Sequence, residues 1–487
     1  MKKYIGLILA LSILISGCKK DEDTIIDSSV PENITVQNFM WKAMNIWYFW
    51  QQDVPVLADD HFSTNTEYID YLKQFDDPKG FYEDQLQYSA DRFSFLSEDY
   101  KTLVQSLAGI TKSNGLEFGL VRFQGSDFVF GYVRYVVPNS NAATKDIGRG
   151  DIFTAVDGQK LDVNNYIDLL FGENDTYTLT MADISDGVAT DNGKEVTLTK
   201  EEGLVENPIF LSKTFEINGK KIGYLVYNIF IPEYDEELNK VFEEFKSQGV
   251  SDLILDVRYN PGGDVNSSRL LSSMIYGTDT DKLYIHERWN DKIEAVFNPE
   301  DLNDYFANTT GKGTPINTLG LSKVYILTTK STASASELVI NCLAPYLDVE
   351  QIGTKTTGKN EFSLTLVDIP SNSYVYNPSK EEDINKNNSW GIQPLVGRNE
   401  NADGFSDYTS GLVPDIELPE DLENLGVLGD QNEPLLARAL QEITGVTAKR
   451  DFRAKTPVYL ITSSKMFTPV RDNMYLANPK IPSLTTP

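Results

Sequence analysis

Ser334 and Lys359 are the two residues whose surroundings best suit a chemical step. Ser334 lies in Ser331-Thr-Ala-Ser-Ala-Ser-Glu337, a loop of small residues that opens an apolar helix predicted over 338–344. A helix N-terminus leaves backbone N–H groups without partners and favours negative charge, so it can stabilise an oxyanion. Lys359 closes Thr356-Thr-Gly-Lys359, 25 positions later and just after a glycine turn. A serine nucleophile needs a base. Histidine is scarce: His61 sits in polar Asp59-Asp-His-Phe-Ser63, and His286 in Leu283-Tyr-Ile-His-Glu-Arg-Trp289, a predicted strand or strand edge. A Ser-Lys pair is therefore a simpler reading than a Ser-His-Asp triad. Singly, a serine-rich loop and a Gly-Lys pair are ordinary turns. Their weight comes from a third feature, the Asn260-Pro-Gly-Gly263 turn directly after a strand predicted over 252–258. Paired glycines allow close backbone approach to a substrate.

Lysine chemistry sets a physical condition. With an ordinary pKa of about 10.4, only about one lysine in two thousand is neutral near pH 7. Burial in apolar surroundings lowers a lysine pKa by up to about 3–5 units. Phe362, Leu364 and the helix after Ser334 are the candidate walls.

Three segments together resemble the C-terminal processing peptidases, or tail-specific proteases, a family of Ser-Lys serine peptidases. They are Asp256-Val-Arg-Tyr-Asn-Pro-Gly-Gly263, Thr332-Ala-Ser-Ala-Ser-Glu337 and Ile352-Gly-Thr-Lys-Thr-Thr-Gly-Lys359, in the family's order. The likeness extends more weakly from about Trp41 to about Gly445. It implies Ser334 as nucleophile and Lys359 as general base. The implied oxyanion hole uses the N–H of Ala335 and one from Gly262 or Gly263. Family members often carry a glutamine four residues after the lysine to orient it. This chain has Ser363 there, with Glu361 nearby, and these are the candidates for that role. No cofactor and no metal is implied.

Composition narrows the partners. The net charge of −29, from 43 basic and 72 acidic residues, argues against nucleic-acid binding. The N-terminus reads as a targeting segment: Lys2 and Lys3, an apolar run from Tyr4 to Ile15, then Ile15-Ser-Gly-Cys18. This pattern is that of a lipoprotein signal, with residues 1–17 removed and Cys18 lipidated. The apolar run is short for a membrane span. Residues 18–35 read as a tether, and the acidic stretch after Cys18 resembles the surface-export signal of Bacteroidetes lipoproteins. The expected location is the cell envelope, anchored to the outer membrane, facing the periplasm or the outside. Cys342, the other cysteine, falls in the apolar helix and reads as a small core residue.

The expected fold is a multidomain α/β arrangement. Residues 36–100 read as a helical N-terminal domain rich in aromatics, including Trp41, Trp47, Tyr48, Phe49 and Trp50, that form a docking core. Residues 101–205 read as β-rich. Gly148-Arg-Gly-Asp-Ile152 and Val156-Asp-Gly158 resemble a PDZ domain, which captures extended peptides by strand addition. A short helix is expected from Asn139, and Leu116, Phe118 and Gly119 are assigned to the peptide-binding loop. Residues 206–445 alternate strand and helix and correspond to the peptidase core, which the resemblance implies is crotonase-like (ββα). A strand over 222–230 precedes a helix over 233–248 with Leu238, Val241, Phe242 and Phe245 on one face. Residues 371–410 read as a polar insertion, and 446–487 as a C-terminal extension of unassigned role. Two functions compete: an endopeptidase acting near protein tails in the envelope, and a catalytically silent surface lipoprotein that holds peptides or ligands. The oligomeric state is open.

Overall fold

A computed structural model describes residues 30–185, 187–446, 458–468 and 471–482. Cys18, with the signal and tether readings, lies outside the described residues.

The N-terminal region is mainly helical, with α1 (Thr35–Trp47) and α2 (Asn65–Leu72). Its aromatics dock rather than face solvent. Phe39, Met40, Met44 and Trp47 of α1 are buried in the same core as the peptidase strands. The Trp47 ring lies 5.9 Å from Trp289, and its indole N–H donates to the Ser373 carbonyl at 2.7 Å. Each fully buried side chain of this size contributes about 1.5–3 kcal/mol.

The β-rich domain is built from β1 (Leu116–Arg122), β2 (Val129–Val136), β3 (Ile152–Val156), β4 (Thr176–Ser185) and β5 (Val188–Thr199), with α3 (Tyr166–Phe171) packed on the sheet. Asp157 and Gly158, with φ of 49° and 75°, make the turn after β3. The helix expected from Asn139 is only a 3-10 turn, Ala142–Thr144.

The peptidase core holds two six-stranded sheets. The first uses β6 (Ile209–Ile217), β7 (Lys220–Tyr227) and, after α4 (Asp235–Gln248), β8 (Asp252–Asp256). α4 buries the four expected apolar residues and ends at Gly249, whose φ of 74° suits glycine. After the Gly-Gly turn come the two-residue β9 (Gly263–Asp264), α5 (Val265–Ile275) and β10 (Leu283–Trp289). β11 (Lys323–Thr328) leads to α6 (Ala335–Leu343), then β12 (Asp348–Gly353), β13 (Glu361–Ser363) and β14 (Leu395–Glu400). α7 (Pro434–Thr444) closes the core. Strands β7, β8, β11 and β12 are parallel neighbours, and both the Gly-Gly turn and the Ser334 loop leave this sheet at C-terminal strand ends. Ligand sites of open α/β sheets form there.

Three local readings change. The predicted 222–230 strand stops at Tyr227, because Phe230 turns to exchange backbone bonds with Gly262 and Asp264. The 252–258 strand stops at Asp256, where Asn260 N–H closes a turn onto the Val257 carbonyl. Within the expected insertion 371–410, residues 391–393 and 395–400 are core strands. Gly391–Gln393 pairs with Phe95–Ser97, and β14 lies between β13 and β10 in the second sheet. Pro394 splits this run into two short buried strands, so it lacks the length that marks a core strand.

Among the described residues, the extension 446–487 contributes two strands. β15 (Tyr459–Ser463) pairs with β1, and β16 (Met474–Tyr475) sits between β9 and β13.

Candidate active site

Ser334 caps α6, with φ of 60° and ψ of −119°. Non-glycine residues rarely adopt this backbone, and its strain is characteristic of functional turns. One side chain over-determines it. Glu337 reaches back so that Ser334 N–H donates to its Oε2 at 2.8 Å, the glutamate half of a capping box. The same buried carboxylate accepts from Lys359 N–H at 2.9 Å, from Gly358 N–H at 2.7 Å and from the Thr356 hydroxyl at 2.5 Å. One glutamate thus joins the serine loop to the lysine loop. Burial pushes its carboxyl up to about 7 against these four donors.

The Gly-Gly turn completes the cleft. A Cβ on Gly262 would sit 2.4 Å from Ser334 Cβ, and one on Gly263 would sit 2.1 Å from the Phe230 carbonyl oxygen. Both have strongly positive φ, 116° and 130°, so only glycine fits. Gly262 N–H already donates to Asn260 Oδ1 at 2.9 Å. Gly263 N–H points into the cleft and donates to the Asn473 carbonyl at 2.7 Å. Gly263 is therefore the donor aimed at the cleft, beside Ala335, the first residue of α6.

The turn rests on buried charge. Arg258 is paired to Asp256 at 2.7 Å and to Glu433 at 2.6 Å, all three almost wholly buried. Burial works against ionising the adjoining Glu420, but the Arg149 and Arg258 guanidiniums hold its carboxyl at about 2. Arg134 of β2 donates to the Ser331 hydroxyl at 2.8 Å, bringing the β-rich domain against the serine loop.

Lys359 is 1% exposed. Burial pushes its ammonium down to about 8, against the opposing pull of Glu361, Asp472, Asp91 and Glu337. The ring beside its Nζ is Phe93, 5.1 Å away, from the segment after the N-terminal helices. Arg92 from that segment donates to the Gly358 carbonyl at 2.6 Å. Phe362, a wall expected from the sequence, instead packs its ring on Trp289 at 5.0 Å.

Among the described residues, Lys359 Nζ makes one hydrogen bond, to Asn473 Oδ1 at 3.2 Å. Ser363 also donates to Asn473 Oδ1, at 2.8 Å, and is itself held by Gln393 Nε2 at 2.9 Å. Ser363 thus reaches the lysine only through Asn473. Glu361, the other candidate, makes no hydrogen bond to Lys359 and acts on it through charge alone. No hydrogen bond joins Ser334 Oγ to Lys359 Nζ among the described residues. The serine hydroxyl donates instead to the Asp472 carbonyl at 3.0 Å.

Leu116, Phe118 and Gly119 lie within strand β1 rather than in a loop, and β1 pairs with β15. The turn before them is Asn114–Gly115, with Gly115 at φ 80°. His286 of β10 bonds Asn303 of the neighbouring strand, His61 packs on Phe62, and Cys342 is buried in α6. Sequence reasoning missed Glu337, Phe93, Gln393 and Asn473. Only Glu337 carried a signal, the Ser334-x-x-Glu337 spacing of a capping box.

The fold and this cleft define a serine peptidase. The Peptidase family S41 model matches residues 221–397, and the Peptidase S41 N-terminal domain model matches residues 35–95. The chain thus carries a Peptidase family S41 domain and an S41 N-terminal domain, and it is similar to C-terminal processing peptidases. It is 23% identical over 357 residues to a carboxyl-terminal-processing protease of Picosynechococcus, covering 71% of this chain and 74% of that one. A chloroplastic C-terminal processing peptidase of Tetradesmus obliquus is 24% identical, with 69% and 67% covered. The crystal structure of a putative S41 protease from Bacteroides fragilis superposes with a TM-score of 0.63 at 27% identity, covering 84% of this chain and 97% of that one.

Proposed function

We propose that the protein is a cell-envelope endopeptidase that cleaves proteins or peptides near their C-terminal tails through a Ser334-Lys359 dyad. Ser334 Oγ attacks the scissile carbonyl while neutral Lys359 Nζ takes its proton. Gly263 and Ala335 N–H groups hold the oxyanion of the tetrahedral intermediate. Its collapse expels the amine, which takes the proton from Lys359, and leaves an acyl-enzyme on Ser334. Lys359 then draws a proton from water, whose oxygen releases the acid product. The observation that carries this reading is the Glu337 carboxylate, which gathers the backbones of Ser334 and Lys359 on one buried anchor. A fluorophosphonate probe tests it. Wild-type protein is expected to label and Ser334→Ala to lose both labelling and peptide cleavage; labelling that survives the substitution would remove Ser334 from the role.

The β-rich domain, on this reading, is PDZ-like and presents the β1 edge to substrate tails. The envelope location rests on the sequence around Cys18. Mass analysis of the mature N-terminus is expected to find residues 1–17 absent and a lipid on Cys18. An unmodified Cys18 would contradict the anchor.

A further inference from the structure

Three of the groups that the proposed reaction needs are already engaged by the chain's own C-terminal segment. The Ser334 hydroxyl donates to the Asp472 carbonyl, Gly263 N–H to the Asn473 carbonyl and Lys359 Nζ to Asn473 Oδ1. These are the nucleophile's proton, the oxyanion donor and the base. A substrate carbonyl must take the same Gly263 N–H, and Lys359 must reach Ser334 rather than Asn473. Both requirements conflict with residues 472–473 where they lie. The cavity left between Lys359, Phe93 and Asp472 is about 70 Å³, against about 300–1,000 Å³ for sites that hold even a small ligand.

The segment also lies as an extended peptide would. β16 pairs in parallel with β9 on one side, Gly263 opposite Met474, and meets β13 on the other, Ser363 opposite Tyr475. This is strand addition, one of the recurring ways in which a fold holds an extended peptide. The same segment fills the second peptide edge. β15 runs antiparallel to β1, with Leu460 opposite Val121 and Ser463 opposite Gly119. At the end of β15, Phe118 N–H donates to the Ser464 hydroxyl at 3.0 Å, and Phe467 stacks on Phe171 of α3 at 3.7 Å. Lys465, nearly buried, bonds Glu206 at 3.2 Å and the Asn228 carbonyl at 3.1 Å, and so pins the stretch between the two edges.

We infer that residues 459–468 and 471–476 form an autoinhibitory strap, a tethered peptide that occupies the β1 edge and the Ser334 cleft together and must withdraw before a substrate enters. The inference rests on the peptidase reading above. A permanent structural strand would leave the reacting groups free; this one uses all three. In the cleft it holds by two residue pairs on β9 and one on β13, with Met474 and Tyr475 buried; on β1 it holds by four pairs, and there Phe467 is still 37% exposed.

The test uses the full chain. Phe467→Asp puts a charge against Phe171 and is expected to loosen the strap. Fluorophosphonate labelling of Ser334 and kcat/KM for a short peptide are then expected to rise by about tenfold or more, because a tethered segment acts at roughly millimolar effective concentration. Ser464→Ala, a smaller change at the same edge, is expected to act in the same direction. A synthetic peptide of residues 458–482, added to the Phe467→Asp protein, is expected to slow it again in competition with substrate. Equal or slower labelling in both variants, or a peptide without effect, would overturn the strap while wild-type labelling leaves the peptidase reading standing. A wild type and variants that never label would remove both.

Discussion

At the scale of single residues, the decisive quantity is the protonation of Lys359. Its ammonium is held down to about 8 by burial, so at pH 7 about one molecule in ten carries the neutral amine, far more than for an exposed lysine. In the proposed dyad the base must be neutral to accept the Ser334 proton. The rate is therefore expected to fall about tenfold per pH unit below 8 and to level off above it. A kcat/KM profile that is flat between pH 6 and 9 would exclude the lysine. Lys359→Arg is expected to be inactive across the range, because a guanidinium stays protonated. Glu337 shows how a residue can matter without touching substrate: it fixes the strained Ser334 backbone and the lysine loop through four donors.

At the scale of elements, the cleft depends on where β8 and β11 end and what holds the turns beyond them. The buried cluster of Asp256, Arg258 and Glu433 ties the Gly-Gly turn to the start of α7, where Glu433 also accepts from Leu436 N–H at 2.8 Å. Removing one partner leaves a buried guanidinium short of its counter-charge. Glu433→Ala is expected to cost about 3–5 kcal/mol, read as a lower urea midpoint for the peptidase core. A loss under about 1 kcal/mol, the value of an exposed pair, would mean that the cluster is solvated in solution.

At the scale of the whole molecule, three regions converge on one cleft. The N-terminal region supplies Phe93 and Arg92, the β-rich domain supplies Arg134, and the core supplies Ser334, Lys359 and Gly263. If the β1 edge takes substrate tails, a free C-terminal carboxylate should contribute to binding. Matched long peptides with free and amidated termini are expected to differ by several-fold in KM, with a smaller difference for short peptides that reach only Ser334. Identical constants for the two termini would show that the edge does not read carboxylates.

The sequence by itself marked the candidate positions for the chemistry and the outline of the fold. Ser334, Lys359 and the Gly-Gly pair lie in short motifs whose backbone demands are local: a helix start and turns that only glycine tolerates. The α4 face and the Asp157-Gly158 turn were legible for the same reason, since periodicity and turn chemistry act over a few residues. Tertiary structure alone decided what surrounds those positions. Phe93 reaches Lys359 from the N-terminal region, Asn473 bonds its Nζ directly from the C-terminal extension, and Gln393 connects to it only through Ser363 and that same Asn473 oxygen. Residues 371–410 read as an insertion because they are polar and rich in Asn, Ser and Gly, and only pairing with distant strands makes 391–393 and 395–400 core. Val458-Tyr-Leu-Ile-Thr462 is rich in strand formers, but nothing local says which strand it joins. Only the folded molecule provides the β1 edge that receives 459–463 and the gap between β9 and β13 that receives 474–475.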